Sequence, residues 1–294
     1  MKKKGLFTVS LLSMLVFLSF ANVSVAAPPS YVGVKTGDEF TWTASLNMVN
    51  LNATAIAIFG LDNWTLMYEY FLEWFENQTT MEFDFLAGAG MRAVLTNVSD
   101  EIPHPYMPGF LCSGLYFDIY TAYAADNWTM VTNSSMYSMP MICLVDPSSL
   151  NESTIMYGFM GTPLFMPIGF NYTMFAGVYQ TYIDSSPYTA GNFTVQPHGN
   201  GLKMILKASY IELMVNQSGL PFTLGTLTDA IFTVRWNSNG VLDYGDLKYG
   251  GLTLATAELI PSEDLIPGFE LMTIIGVSIT SILAIIYIQR KKHK

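Results

Sequence analysis

Cys112 and Cys143 are the only thiols in the chain. An even cysteine count in an exported body points to a disulfide. A bridge from Cys112 to Cys143 would close a loop of about 30 residues, worth roughly 3–4 kcal/mol on the chain-entropy view. A pair of free, buried cysteines is the competing reading. Histidine is equally sparse: His104 and His198 stand alone, and His293 lies in the terminal tail. Zinc hydrolysis wants two or three clustered His or carboxylate ligands, and no His-Glu-x-x-His or Gly-x-Ser-x-Gly occurs. Acidic pairs occur at Asp38 with Glu39, Glu82 with Asp84, and Asp243 with Asp246. They fall on alternating strands and turns, where solvated charge is the normal state. The run "MYSMPM" offers Met136, Met139 and Met141 as thioethers that a soft ion such as Cu(I) would accept. Methionine more commonly fills irregular apolar gaps. The reading is of no enzyme: no catalytic residue, no cofactor and no metal site is assigned.

The ends of the chain say more. Lys2, Lys3 and Lys4 precede an apolar run from Leu6 to Phe20 and then small residues. This is the layout of a secretory signal peptide over residues 1–26, cut after Ala26 with Ser24 three positions before the cut. At the other end Leu271 to Ile288 carries no charge, long enough for a transmembrane helix, and Arg290, Lys291, Lys292 and Lys294 follow. Positive residues stay on the cytoplasmic side, so both ends give one topology: cell membrane, single pass, body extracellular, tail 289–294 cytoplasmic.

Charge agrees. The formal net charge is −10, and between Asp38 and Glu270 the only basic residues are Arg92, Lys203, Lys207, Arg235 and Lys248. An acidic body cannot track phosphates, so nucleic acid is excluded as a partner. The pattern Asn-x-Ser/Thr recurs at Asn52, Asn63, Asn77, Asn97, Asn127, Asn133, Asn151, Asn171, Asn192 and Asn216. That density marks a heavily N-glycosylated surface, with each asparagine at a solvent-facing position.

The elements follow from periodicity. "EFTWTASLNM" alternates, with Phe40, Trp42, Ala44, Leu46 and Met48 on one side, as a half-buried strand does. "MEFDFLA" and "MRAVLTNVS" read as further strands. "AIFTVRWNSNGVLDYGDLKYGGLTLATAEL" reads as a meander: Ala230 to Trp236, a turn at Asn239-Gly240, Val241 to Tyr249 with a bulge at Gly245, a turn at Gly250-Gly251, and Leu252 to Leu259. "DNWTLMYEYFLEWFENQ" reads as the one minor helix, with Asp62 as its N-cap. From His104 to Phe175 there is no Lys or Arg, which suggests long apolar loops over a sheet. The fold expected is mainly β: one antiparallel β-rich extracellular domain over 27–260, a stalk over 261–270, and a transmembrane helix over 271–288.

Pro267-Gly268-Phe269, an apolar helix and a basic tail resemble the PGF-type C-terminal sorting signal of archaeal surface proteins, which archaeosortase-type enzymes process. "YVGVKTGDEFTW" and "NGVLDYGDLKYGG" look like the first strand and last hairpin of secreted cell-surface proteins of Asgard archaea. Pro108-Gly109-Phe110 spells the same triplet mid-chain, where it can only be a turn. The resemblance implies a sortase-like processing enzyme as a partner, with no assigned activity for the body. Together these features give an exported, N-glycosylated, C-terminally anchored surface protein with an envelope-structural or adhesion role. Its partners would be the membrane and other envelope proteins or glycans. A tethered binding protein for a hydrophobic ligand or a soft metal is the second reading, and an extracellular hydrolase the third.

Overall fold

The structure, a computed structural model, describes residues 28–69, 90–122, 128–156, 164–187, 189–218 and 225–260. The expected signal peptide, the "MEFDFLA" strand with Glu82 and Asp84, the Pro267–Phe269 motif and the apolar run 271–288 lie outside those residues. Among the described residues no helix is long and apolar enough to cross a membrane.

The chain is mainly β, as expected. Among the described residues ten antiparallel strands form one sheet: β1 (Glu39–Leu46), β2 (Gly90–Pro103), β3 (Leu111–Ala122), β4 (Trp128–Thr132), β5 (Ile142–Val145), β6 (Phe193–Pro197), β7 (Gly201–Leu206), β8 (Ala230–Trp236), β9 (Leu242–Tyr249) and β10 (Leu252–Ile260). Their order is β4-β3-β2-β1-β10-β9-β8-β7-β6, and β5 shares the free edge of β3 with β4. The first and last strands are thus neighbours in mid-sheet. Thr41 pairs with Ile260, so the chain enters β1 and leaves β10 at the same end.

Four α-helices accompany the sheet among the described residues, more than the single minor helix expected. They are α1 (Met48–Phe59), α2 (61–69), α3 (Tyr172–Asp184) and α4 (Ala208–Ser218). β1 therefore stops at Leu46, and Met48 does not continue its alternation. Asn47 ends the strand because its side chain accepts from Asn50 N–H and caps α1. Gly60, at φ 78°, then separates α1 from α2. Asp62 lies inside α2 and is exposed, so it is not the N-cap; α2 matches the first part of the expected helix, whose remainder from residue 70 lies outside the described residues. Asn171 caps α3 by accepting from Met174 N–H, and α3 packs on β6.

The meander β8–β9–β10 matches its expectation closely. Asn237 closes the first turn, its Oδ1 accepting from both Asn239 and Val241 N–H. Gly240 takes φ 71°, and a Cβ there would fall on the Met166 carbonyl oxygen. The bulge lies elsewhere than expected. Gly245 pairs regularly with Val234 and Ala257, and the register slips at Arg235/Trp236 and at Thr253/Ala255.

The region from His104 to Phe175 is less loop-like than its composition suggests, because it contains β3, β4 and β5. β3 is buried along most of its length. The core centres on Phe165, whose ring meets Phe40, Trp42 and Phe117 edge-on or at a steep tilt, at 5.6–6.2 Å. Trp42 is fully buried, and its indole N–H donates to the Leu242 carbonyl at 2.7 Å. That bond satisfies the one polar atom a buried tryptophan brings.

Candidate functional site

Three described side chains suited to coordination chemistry converge at one corner of the sheet, where β2, β3 and β5 meet. β2 and β3 form a hairpin in which Ile102 faces Cys112 and Pro103 faces Leu111. His104 N–H continues the ladder to Phe110 O at 2.9 Å. The hairpin closes through Met107, Pro108, Gly109 and Phe110, with Phe110 N–H bonded to Met107 O and Gly109 at φ 88°. Pro second and a positive-φ Gly third is the signature of a type II turn. The turn expected at Pro108-Gly109-Phe110 is therefore present, and its role is to bring His104 back over Cys112.

β5 completes the corner. Cys112 faces Val145, and Gly114 faces Cys143. Partners across an antiparallel ladder share a face, and so do residues two apart. Ile102, His104, Cys112 and Cys143 therefore stand on one face, with the two cysteines on a diagonal. Met141 falls on that face too, because Met141 N–H bonds Leu115 O and carries the β5 ladder one residue further. Gly114, opposite Cys143, has no side chain to stand between them, and a Cβ there would strike Pro140.

The ligand atoms of His104, Cys112 and Cys143 all lie within 4.8 Å of one another. Cys112 and His104 are buried, and Cys143 is half-buried. Both cysteines are free thiols in the structure. They lie side by side, where the expected disulfide would form, and they are not joined. The Cys112 thiol donates to Cys143, which pushes the Cys112 pKa up and holds Cys143 below the usual thiol range; burial of Cys112 acts in the same direction. Burial lowers the His104 pKa, so its imidazole is neutral at neutral pH. Its Nδ1 accepts from Tyr106 N–H at 3.1 Å. Tyr31, beside the corner, donates its hydroxyl to Glu101 at 3.2 Å. Its pKa is raised well above the ordinary tyrosine value, first by burial and then by the Glu101 charge.

The other candidates do not assemble. His198 is exposed in the β6–β7 turn, with β1, β10, β9 and β8 between β7 and the hairpin that carries His104. Asp38 caps its own turn by accepting from Lys35 N–H, and Glu39 pairs with Arg92 at 3.3 Å. Asp243 and Asp246 face separate cations, Arg235 at 3.8 Å and Lys248 at 2.7 Å. Met136 and Met139 point outward at 82% and 47% exposure, while Met141 packs against the core. An open cleft of about 610 Å³ lies between the end of α3 and α4, lined by Tyr179, Tyr182, Phe193 and Tyr210 with Ser185 and Thr189. Its lining begins at Tyr179, just past the apolar stretch from His104 to Phe175.

Seven sequon asparagines have described side chains. Asn97, Asn151 and Asn171 are exposed, and Asn52, Asn63, Asn133 and Asn192 are half-buried. At Asn133 and Asn151 the side-chain oxygen accepts both the N–H and the hydroxyl of the serine two residues on. At Asn63 the side-chain nitrogen is itself engaged, donating to Phe59 O at 2.8 Å. Asn77, Asn127 and the side chain of Asn216 lie outside the described set. No protein-family model matches the chain, and no curated protein matches it.

Proposed function

We propose that the chain is an exported, N-glycosylated surface protein of the archaeal PGF-anchored kind, held at the membrane by its C-terminal apolar run. Its β-sheet body serves the cell envelope or adhesion. The observation that carries this reading is the placement of the sequons: none of the seven described asparagines is buried, although they fall on helices, strands and loops alike. The sheet topology fits a tether as well. Entry to β1 and exit from β10 share one end, so a leader and an anchor would emerge together and leave the rest of the sheet free of the bilayer.

Intact mass of the mature protein isolated from membranes tests this directly. The expected result is loss of residues 1–26 together with a ladder of glycan masses. Glycopeptides should include Asn97, Asn151 and Asn171, while Asn63, whose amide nitrogen is occupied, stays unmodified. A mature chain that retains Met1 and carries no added mass would rule the reading out. Recovery of a peptide containing Lys294 would show that the tail is kept, and absence of every residue after Phe269 that a sortase-like enzyme removes it.

A further inference from the structure

We propose that His104, Cys112 and Cys143 bind one soft, thiophilic cation of the Cu(I) class. The inference stands on the β2–β3–β5 corner alone and does not depend on the surface-anchoring reading. Three donors from separate positions in the chain reach within 4.8 Å of one another. Donors held ~2.3 Å from a common metal sit ~3.8 Å apart in a tetrahedral shell and ~4.6 Å apart across a linear one. The cluster is therefore close to metal-sized already, and loading requires an inward shift of about 1 Å or less on that arithmetic.

The donor types choose the ion. Two thiolates and an imidazole are soft or borderline, which selects Cu(I) or zinc over magnesium, calcium or manganese. A structural zinc site closes with four protein ligands. Among the described residues no carboxylate, second histidine or third cysteine joins the group. A further sulfur on the same face is the thioether of Met141, placed there by strand alternation. Thioether is a ligand Cu(I) accepts, and a three-donor set with a soft fourth neighbour suits it. Access is from the Cys143 side, because Cys143 is half-buried while Cys112 and His104 are buried.

Coordination replaces two S–H bonds with two S–metal bonds, and two protons leave to solvent; no electron is transferred. The imidazole contributes a lone pair. In the neutral ring the lone pair is on Nδ1, which now accepts from Tyr106 N–H. Binding at that nitrogen displaces the Tyr106 amide, so the 104–110 loop must adjust when the ion enters. Tyr106, whose ring is exposed, is the reporter for that step.

The test uses full-length protein in detergent. Alkylation of the protein as isolated should find two reactive thiols; a pre-existing Cys112–Cys143 bridge overturns the proposal. The reduced protein is then titrated with Cu(I) against bicinchoninate under anaerobic conditions. One Cu(I) per chain should be withheld from the chelator. Cys143→Ala should weaken retention by more than about 100-fold, since loss of a ligand exceeds the 10–100-fold typical of losing its supporting partner. Met136→Leu with Met139→Leu should leave retention unchanged. No retention by the native chain, equal retention by Cys143→Ala, or loss only in the methionine variant would overturn the site. So would retention of Zn(II) where Cu(I) is not held. Should Cys143→Ala fail to fold, X-ray absorption on the loaded native chain decides without it: a mixed sulfur and nitrogen shell supports the site, and a shell of light atoms alone rejects it. Hydrogen exchange at the Tyr106 amide should rise on loading.

Discussion

Two three-stranded regions of this sheet were met with the same rules and behaved differently. The β8–β9–β10 meander could be read almost strand for strand. In the β2–β3–β5 corner, which holds the chemistry, "MRAVLTNVS" announced β2, but β3 and β5 went unread. The difference is physical. In the meander, buried Val234, Trp236, Leu242, Leu254 and Ala257 are interspersed with more accessible neighbours, and glycine and asparagine mark both turns. β3 is buried on both faces for much of its length, so "LCSGLYFDI" loses the polar beat that announces a strand. β5 has only four residues, too few to show any period.

The sharpest way to break that comparison is to exchange equal mutations between the two turns. Gly240 and Gly109 both take positive φ, at 71° and 88°. A Cβ at Gly240 would strike the Met166 backbone carbonyl, whereas one at Gly109 meets nothing within 4 Å. Gly240→Ala should therefore cost about 3 kcal/mol or more, combining strained φ with a backbone clash. Gly109→Ala should cost about 1 kcal/mol, from φ alone. Urea midpoints at constant m-value measure both. Equal losses would mean that the Met166 segment yields, and that the meander is not pinned from above.

The same contrast explains what the letters carried about the site. The cysteine pair was visible from its count, and the two sulfurs do lie together. His104 looked isolated because its partner is eight residues away across a turn. Yet "HPYMPGFLC" holds the signal: a Pro-Gly turn with ladder pairing sets His104 and Cys112 on one face. That signal depends on treating the triplet Pro108-Gly109-Phe110 as a hairpin closure and counting parity outward from it. Nothing comparable could have excluded His198, whose distance follows only from strand order. The helix α1 was missed because "LNMVNLNATAIAIF" begins as a continuation of the β1 alternation. Asn47 spends its side chain on the cap instead, a choice that the apolar pattern does not record.

A smaller effect separates two carboxylates three residues apart in β9. Asp246 is nearly inaccessible, accepts from Lys248 at 2.7 Å and from the Tyr244 hydroxyl at 3.0 Å, and has one oxygen with no partner. Asp243 is almost half exposed and 3.8 Å from an equally exposed Arg235. Removing Asp246 by substitution to Ala leaves a tyrosine hydroxyl without its acceptor and should cost about 1–3 kcal/mol. Asp243→Ala should cost less than about 0.5 kcal/mol, the usual worth of a screened surface pair. Thermal unfolding of the two variants checks the order, and a larger loss at Asp243 would contradict it.

The comparison that sets the two regions side by side most directly belongs to their tyrosines. Tyr244 in the meander and Tyr31 at the sulfur corner each donate a hydroxyl to a carboxylate, Asp246 and Glu101 respectively. Each phenol is pushed up first by burial: Tyr244 from 10.0 to about 12, and Tyr31 further above the ordinary range. Protonated tyrosine is the neutral form, so a raised folded pKa means the folded chain holds the proton longer than the unfolded chain. The stabilisation is complete below the unfolded value near 10 and is lost as pH climbs through the folded value. At pH 7, Tyr244→Phe should remove about 1 kcal/mol, one hydrogen bond's worth. Between pH 10 and 12 it should flatten part of the fall in stability, and Tyr31→Phe should flatten more of it because its phenol is shifted further. Denaturant midpoints taken across that window decide the matter. If neither substitution changes the slope, the alkaline fall comes from groups outside both regions, and burial of these two phenols is not what links the sheet's stability to pH.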